Sequence, residues 1–254
     1  MSIQIMKVIL GCAAAGYLLS AVFFWCKKRI PSYIANGIAW VLNAFVVGVN
    51  WVNNGYVPFV SMYQVLTFLG LCFTLANIYM LAVHKDNWIS PYFNLCSCVV
   101  MIGCLFMNAT MIWHFVPALQ SVWFVPHVFS YMLSYSLCAV ASVLSIVWFF
   151  NKRNRENLDR GIYNLVMVAF PFMTAGMFMG AIWANEVWTE FWSWDPKENW
   201  ALITWMLYAI YLHCRRHKSL KKFQYVFTIL GIVALFMAFQ GVNLFGAGGE
   251  HSYS

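Results

Sequence analysis

"FVPHVFSYMLSYSLCAVASVLSIVWFFNKRNR", residues 124–155, decides the fold. From Phe124 to Phe150 there is no Asp, Glu, Lys or Arg, and then Lys152, Arg153 and Arg155 follow directly. That apolar run exceeds the roughly 20 residues a helix needs to cross the hydrocarbon core of a bilayer. The rest of the chain has the same character. Of its 254 residues, 63% are hydrophobic and 9% charged, against roughly 25% charged in soluble domains. The mean hydropathy is +0.70. No water-soluble core hides so much apolar surface. The alternation of an outer-membrane barrel strand is absent, so the spans are helices. The fold class is an all-α polytopic membrane protein.

Working outward from residues 124–150, the apolar runs predict about eight transmembrane helices, over 6–26, 33–53, 59–83, 92–112, 124–150, 163–183, 197–214 and 224–245. Their middles read as almost entirely apolar. The cations fall on alternate connections: Lys27, Lys28 and Arg29; Lys85; Lys152, Arg153, Arg155 and Arg160; and Arg215, Arg216, Lys218, Lys221 and Lys222. Of the 15 Lys and Arg, only Lys7 and Lys197 stand elsewhere. Cations mark the cytoplasmic side of a membrane protein. Both termini are therefore expected on the outer side, periplasmic or lumenal. The net charge of +7 is this topological signal and not a nucleic-acid footprint. The first run is followed at once by Lys27-Lys28-Arg29 and has no convincing cleavage site, so it reads as a retained span. Residues 1–254 are expected to form a single transmembrane helical domain. The eight cysteines, Cys12, Cys26, Cys72, Cys96, Cys98, Cys104, Cys138 and Cys214, lie in or at the ends of apolar runs. They read as small buried hydrophobes.

This topology puts "WANEVWTEFWSWDPKENW", residues 183–200, on the outer side. It holds Trp183, Trp188, Trp192, Trp194 and Trp200 with Glu186, Glu190, Asp195 and Glu198. Asp195-Pro196-Lys197-Glu198 is a helix start, with Asp as N-cap, Pro at the first helical position and Glu three residues after the cap. The tryptophans suit either an interface belt or a platform for a large flat ligand, with indole N–H groups to donate. Among the histidines, His84, His213 and His217 fall at the inner side and His114, His127 and His251 at the outer side. His127 and His251 share the depth of the tryptophan segment. Two neutral imidazoles there are either interface residues or the two axial ligands of an iron porphyrin. His213, at the inner end of its span, is either a packed residue or a functional group within the membrane.

"GAIWANEVWTEFWSWDPKENWALITWMLYAIYLH", residues 180–213, resembles the tryptophan-rich WWD segment of haem-handling proteins of cytochrome c maturation, most nearly the CcsA (ResC) branch. "PALQSVWFVPHV", residues 117–128, is similar to the family segment with one outward haem histidine, and the terminal "HSY", residues 251–253, to the segment with the other. "PFVSMYQVLTFLG", residues 58–70, resembles an early family segment that usually has a glutamate where Gln64 stands. The chain also departs at Thr189, where glycine is common, and at Phe191, where tyrosine is common.

The resemblance implies delivery of haem b to the outer side of an energy-transducing membrane. It implies His127 and His251 as outward iron ligands and His213 as ligand to a haem within the membrane, its second ligand coming from a CcsB (ResB) partner. Trp183, Trp188, Trp192, Trp194 and Asp195 would form the cofactor-binding shelf. The reaction implied is thioether attachment of haem to the C-x-x-C-H thiols of an apocytochrome c, a haem lyase activity held with the partner. No catalytic residue of the chain's own is expected, except a proton relay through Glu186 and Glu190, which otherwise solvate the loop. The membrane implied is the bacterial cytoplasmic one, with the site toward the periplasm, or the thylakoid. The rival readings are a CcmC-like loader of a haem chaperone and a b-type haem electron-transfer subunit. The second would need histidines paired inside helices.

Overall fold

The computed structural model describes residues 3–107 and 117–241; His114, His251 and the far ends of the spans expected at 92–112 and 224–245 lie outside the described residues. No strand occurs among the described residues. They form eight α-helices: α1 (Ile3–Trp25), α2 (Arg29–Asn54), α3 (Met62–Tyr79), α4 (Ser90–Leu105), α5 (Phe124–Phe150), α6 (Arg155–Trp188), α7 (Pro196–Arg216) and α8 (Gln224–Phe236). Each expected span overlaps one of them. The first six, with α3 and α4 taken together with their adjoining turns as Met62–His84 and Asn87–Leu105, are long and apolar enough to cross a membrane. α7 is 21 residues long with charged residues at both ends, and α8 is shorter. The protein is a polytopic helical membrane protein.

The largest departure from the expected boundaries is α6, which spans 34 residues where 163–183 was expected. Its ends are polar, so hydropathy alone trims them. The helix runs through Pro171, whose neighbourhood is tied by the Thr174 hydroxyl donating to the Phe170 carbonyl at 2.9 Å. It stops at Thr189, which turns to φ 64° and caps the last turn.

The helices gather into two compact units, residues 1–120 and 121–254. In the first, α1 lies against α2 and α4, and α3 against α2 and α4. α1 and α2 approach closely because Gly16 has no side chain: a Cβ there would stand 3.0 Å from the Ala39 Cβ. Leu10, Ala14, Tyr17, Ala39, Val46, Tyr63, Cys98, Met101 and Cys104 form its core. α3 starts with a capping box in which the Ser61 hydroxyl accepts from the Gln64 N–H at 3.2 Å. Gln64 Oε1 accepts in return from the N–H groups of Val60 and Ser61 at 3.0 and 3.2 Å. A glutamine supplies this acceptor oxygen as well as a glutamate does, which gives Gln64 a local role where the resembling segment has an acid.

The interior of this unit is less apolar than the sequence suggested. Asn36, Asn43 and Asn50 recur every seven residues along α2. Asn43 and Asn50 are buried, together with Ser20, Ser32, Thr67, Thr74, Asn77 and Asn94. A hydropathy window averages one asparagine in seven residues out of sight, whereas a helix places all three on one face.

In the second unit α5 packs along α6, α8 lies on α5 and α7, and α6 meets α7. Here too hydroxyls join the helices. Ser142 donates to the Thr228 carbonyl at 2.8 Å and Thr228 Oγ1 to Ser145 Oγ at 2.7 Å, linking α5 and α8. Such contacts replace the hydrophobic effect, which gives no drive between helices already in lipid. Of the eight free cysteines, Cys72, Cys98, Cys104, Cys138 and Cys214 are buried, while Cys12 and Cys26 lie exposed on α1 and at its end.

Overpacking a close helix contact costs about 1–3 kcal/mol. Gly16→Leu is expected to lower the thermal midpoint in detergent, while Gly11→Leu, at a glycine with open space around it, leaves the midpoint unchanged.

Candidate functional site

The site grows from the contact between α5 and α6. Gly176 and Gly180 stand one turn apart on α6, with no side chain between their backbone and α5. A Cβ on Gly176 would meet the Tyr131 ring at 3.0 Å, and one on Gly180 would meet His127 Cε1 and Nδ1 at 2.5 Å. The His127 ring therefore lies on the backbone of α6. Its Nδ1 is 2.8 Å from the Gly176 carbonyl oxygen. A carbonyl only accepts, so Nδ1–H donates, and the lone pair of the neutral ring is on Nε2. This is the arrangement by which a backbone carbonyl fixes the tautomer and orientation of a metal-binding histidine.

Aromatic rings hold the imidazole from other directions. Tyr131 meets it edge-on at 5.0 Å between centroids. Trp183 lies over it at 5.7 Å and a 34° tilt. Trp183 is buried, backed by Phe124 at 5.2 Å and by Trp188 at 5.0 Å, edge to face. His127, Trp183 and Trp188 thus come together. Trp192 and Trp194 form a separate edge-to-face pair at 6.0 Å. The indoles make two T-shaped pairs, the geometry that ring quadrupoles favour, so each pair presents one face and one edge. The Trp192 indole N–H is buried and has no hydrogen-bond partner among the described residues.

The segment between α6 and α7 is bent at both ends. Thr189 and Trp194 have φ of 64° and 60°, in the left-handed region that non-glycine residues seldom occupy. At Thr189 this explains why a glycine would suit the turn. Trp194 is held there by the Asn199 side chain, which donates to its carbonyl at 2.7 Å. α7 then starts with the capping box that the residues predict: Asp195 Oδ1 accepts from the Lys197 N–H at 2.8 Å. Glu198 Oε2 accepts from the N–H groups of Ser193 and Asp195 at 2.9 and 3.2 Å. Glu186 and Glu190 are exposed, and Glu186 accepts from the Ser121 hydroxyl. The exposed Phe191 ring occupies the second point of departure from the resembling segment. Below the loop, Trp205 of α7 donates its indole N–H to Thr174 Oγ1 at 2.9 Å and stacks on Phe170 at 5.2 Å.

His213 sits in the last turns of α7, on its exposed face. Ile203, Met206 and Ile210 are exposed on the same stripe. Two residues on, Arg215 turns inward. Its Nη1 is 2.6 Å from Asp159 Oδ1 of α6. Gln224 Nε2 at 3.0 Å and the Tyr225 hydroxyl of α8 donate to the same oxygen. Lys221 Nζ approaches Oδ2 at 3.8 Å. Arg215 also lies over the Tyr163 ring, at 4.4 Å. One carboxylate therefore ties α6, α7 and α8 at the end of α7 that bears His213. The sequence reading missed this hub because Asp159 is a single acid in a cation cluster and Arg215 counted only as a topology mark. It also missed Gly176-x-x-x-Gly180, a small-residue spacing that signals close helix contact. His84 ends the π-helical turn Met80–His84 with Tyr79 at 6.1 Å, and exposed His217 caps α7. Among the described residues no group of three or more His, Cys, Asp or Glu side chains is placed to hold a metal ion.

The family model described as "Cytochrome C assembly protein" matches residues 59–249. The chain belongs to that family. It is 34% identical over 242 residues to the cytochrome c biogenesis protein CcsA of Chlamydomonas reinhardtii, covering 87% of this chain and 67% of that one. To the CcsA of Guillardia theta it is 32% identical over 285 residues, covering 93% and 92%. To the CcsA of Synechococcus sp. (strain WH7803) it is 29% identical over 305 residues, covering 97% and 94%. As a member of the cytochrome c assembly family, the chain is a multi-pass membrane protein with a role in cytochrome c biogenesis.

Two substitutions test the local geometry of this cytochrome c assembly protein. The left-handed conformation costs a non-glycine residue about 1–2 kcal/mol. Thr189→Gly is therefore expected to raise the thermal midpoint by relieving part of that strain. Asp159→Ala leaves Arg215 half-buried without its partner and is expected to cost about 3 kcal/mol or more, lowering the midpoint well beyond the effect of Glu156→Ala at an exposed position of the same helix.

Proposed function

We propose that this chain receives haem b, holds it at the outer face of the membrane, and with a CcsB/ResB-type partner presents it to the C-x-x-C-H segment of an apocytochrome c for thioether attachment. The proposal includes eight membrane spans with both termini outward, in a bacterial cytoplasmic membrane or a thylakoid. One observation carries it: His127 is oriented by the Gly176 carbonyl with its lone pair on Nε2, against the buried face of Trp183. An imidazole fixed in that tautomer is a ready iron ligand. In this reading His251, outside the described residues, supplies the opposite ligand. Trp183, Trp188, Trp192 and Trp194 bound the porphyrin, and the Trp192 N–H donates to it.

His213 is the ligand of a haem held within the membrane. Its exposure on a stripe with Ile203, Met206 and Ile210 suits a site whose other ligand comes from a second protein. The chemistry itself is addition of a thiol S–H across each haem vinyl group, with the sulfur bonding to one carbon and the hydrogen to the other. This chain contributes binding, orientation and axial ligation, not a nucleophile. Five of its eight cysteines are buried, which suits that division of labour. Asp195 and Glu198 start α7, and Glu186 and Glu190 line the wet rim, where they relay protons for thiol addition. Lys197, beside Asp195 at the start of α7, pairs with a haem propionate.

The test is the absorbance spectrum and haem content of the protein purified with its partner. His127→Ala and His251→Ala are expected to lose the low-spin ferrous spectrum of the outer site and to regain it with added imidazole. His213→Ala is expected to lose the membrane haem. Unchanged spectra in the first two would overturn the outer site. Gly180→Ala, which pushes the His127 ring off its seat, is expected to reduce outer haem retention roughly tenfold or more, as loss of a ligand's support does. Lys197→Ala is expected to weaken haem retention and thioether yield; no change in either would remove Lys197 from the site.

A further inference from the structure

The polar groups on the asparagine face of α2 close on one another at one end only. At Asn36 the polar groups close on one another: Asn36 donates to Asn94, Asn94 Nδ2 donates to Ser20 Oγ at 2.7 Å, and Ser20 and Ser32 exchange bonds with each other's carbonyl oxygens at 2.8 Å. Two turns on, Asn43 Nδ2 donates to the Thr67 carbonyl at 3.1 Å, where Gly70 leaves room for it beside Met101. Asn43 Oδ1, however, has no partner. The Tyr17 hydroxyl lies near Asn43 and Thr74, yet neither Tyr17 Oη nor Thr74 Oγ1 makes a hydrogen bond of good geometry. Two turns further, Asn54 Nδ2 donates to the Asn50 carbonyl at 2.7 Å. Asn50 Nδ2, Asn54 Oδ1 and the hydroxyl of Tyr63, which lies near Asn50, are left over. Tyr17, Asn43, Asn50, Tyr63 and Thr74 are all more than nine-tenths buried.

Six orphaned polar atoms in two clusters cannot be satisfied from lipid. Each cluster mixes donors and acceptors: Tyr17 O–H, Thr74 O–H and Asn43 C=O in one, Asn50 N–H, Tyr63 O–H and Asn54 C=O in the other. Three convergent groups of mixed sense are what a buried water requires. We propose that unit 1 binds water at both clusters, making a hydrated file along α2. From Asn43 to the Asn54 end the file runs along 11 residues of α2, about 17 Å of helix. Its entrance is the Asn54 end, where α2 stops at the left-handed Gly55 and Asn54 is partly exposed. The ligand is water, because each cluster mixes hydrogen-bond donors with acceptors, whereas an ion needs partners of one sense. This inference stands apart from the haem reading, since no residue of the file belongs to the proposed haem site.

X-ray hydroxyl-radical footprinting with mass spectrometry, on the full chain in lipid nanodiscs, reads bound water directly, because radicals form where water is held. Tyr17, Tyr63 and Met101 are expected to take up oxygen several-fold faster than Tyr208, Phe73 and Met80, which are equally inaccessible. Tyr208 is the matched control, since its hydroxyl is bonded to Ser142 and Cys138. Asn43→Leu is expected to bring Tyr17 and Met101 to the control rate and spare Tyr63, and Asn50→Leu to do the reverse. Wild-type labelling no faster than the controls, or labelling that neither variant changes, would overturn the proposal. If the variants do not fold, the wild-type comparison decides alone.

Discussion

The contact of α5 with the bare backbone of α6 at Gly176 and Gly180 governs the rest of the second unit. A membrane gives two apolar helices no reason to prefer each other over lipid. Removing the side chains at two positions one turn apart creates that reason: rings can lie on backbone and make many contacts at close range. Here the rings are Tyr131 and His127. The same approach brings a carbonyl within reach of the imidazole. Packing and the choice of histidine tautomer thus have one cause, and neither can be altered without the other.

From that seat the site extends by local chemistry. Trp183 closes over the imidazole and Trp188 over Trp183. The chain then leaves α6 through Thr189 and enters α7 through the Asp195–Glu198 box. The acids among the tryptophans are mostly occupied. Asp195 and Glu198 satisfy N–H groups that a helix start leaves bare. Trp205, bonded to Thr174, fixes α7 to α6 beneath them. A flat ligand held at such a place would meet rigid rings on a frame tied by backbone and caps.

How much of this was readable in the sequence depended on whether the signal was long or solitary. Long apolar runs and clustered cations located all eight helices, because composition over twenty residues is a robust measure of partition into lipid. The capping box of α7 was equally plain, since its grammar is local. His127 and the tryptophans stood out by density and by resemblance to a known segment. What escaped were single residues inside apolar runs. Gly176 and Gly180 read as neutral fillers, Asn36, Asn43 and Asn50 as noise in a hydropathy window, and Asp159 as one acid among cations. Each takes its meaning from a neighbour distant in sequence: Tyr131, Thr67 and Arg215. Period-four and period-seven recurrences along a helix were present in the sequence, but only the partner helix shows which recurrences matter.

The Asp159 hub bears on how such a chain comes to lie in its membrane. A membrane protein is oriented by the cations its loops carry while the helices are being inserted. At that stage Arg215 and Lys221 count in full. Once α6, α7 and α8 have assembled, both face a carboxylate, and Arg215 is drawn down over Tyr163. The finished protein shows the lipid headgroups a weaker charge than the nascent one showed the insertion machinery. Charge that first acts as an address is later recycled as a rivet, which lets a chain with so few ionisable residues use the same ones twice.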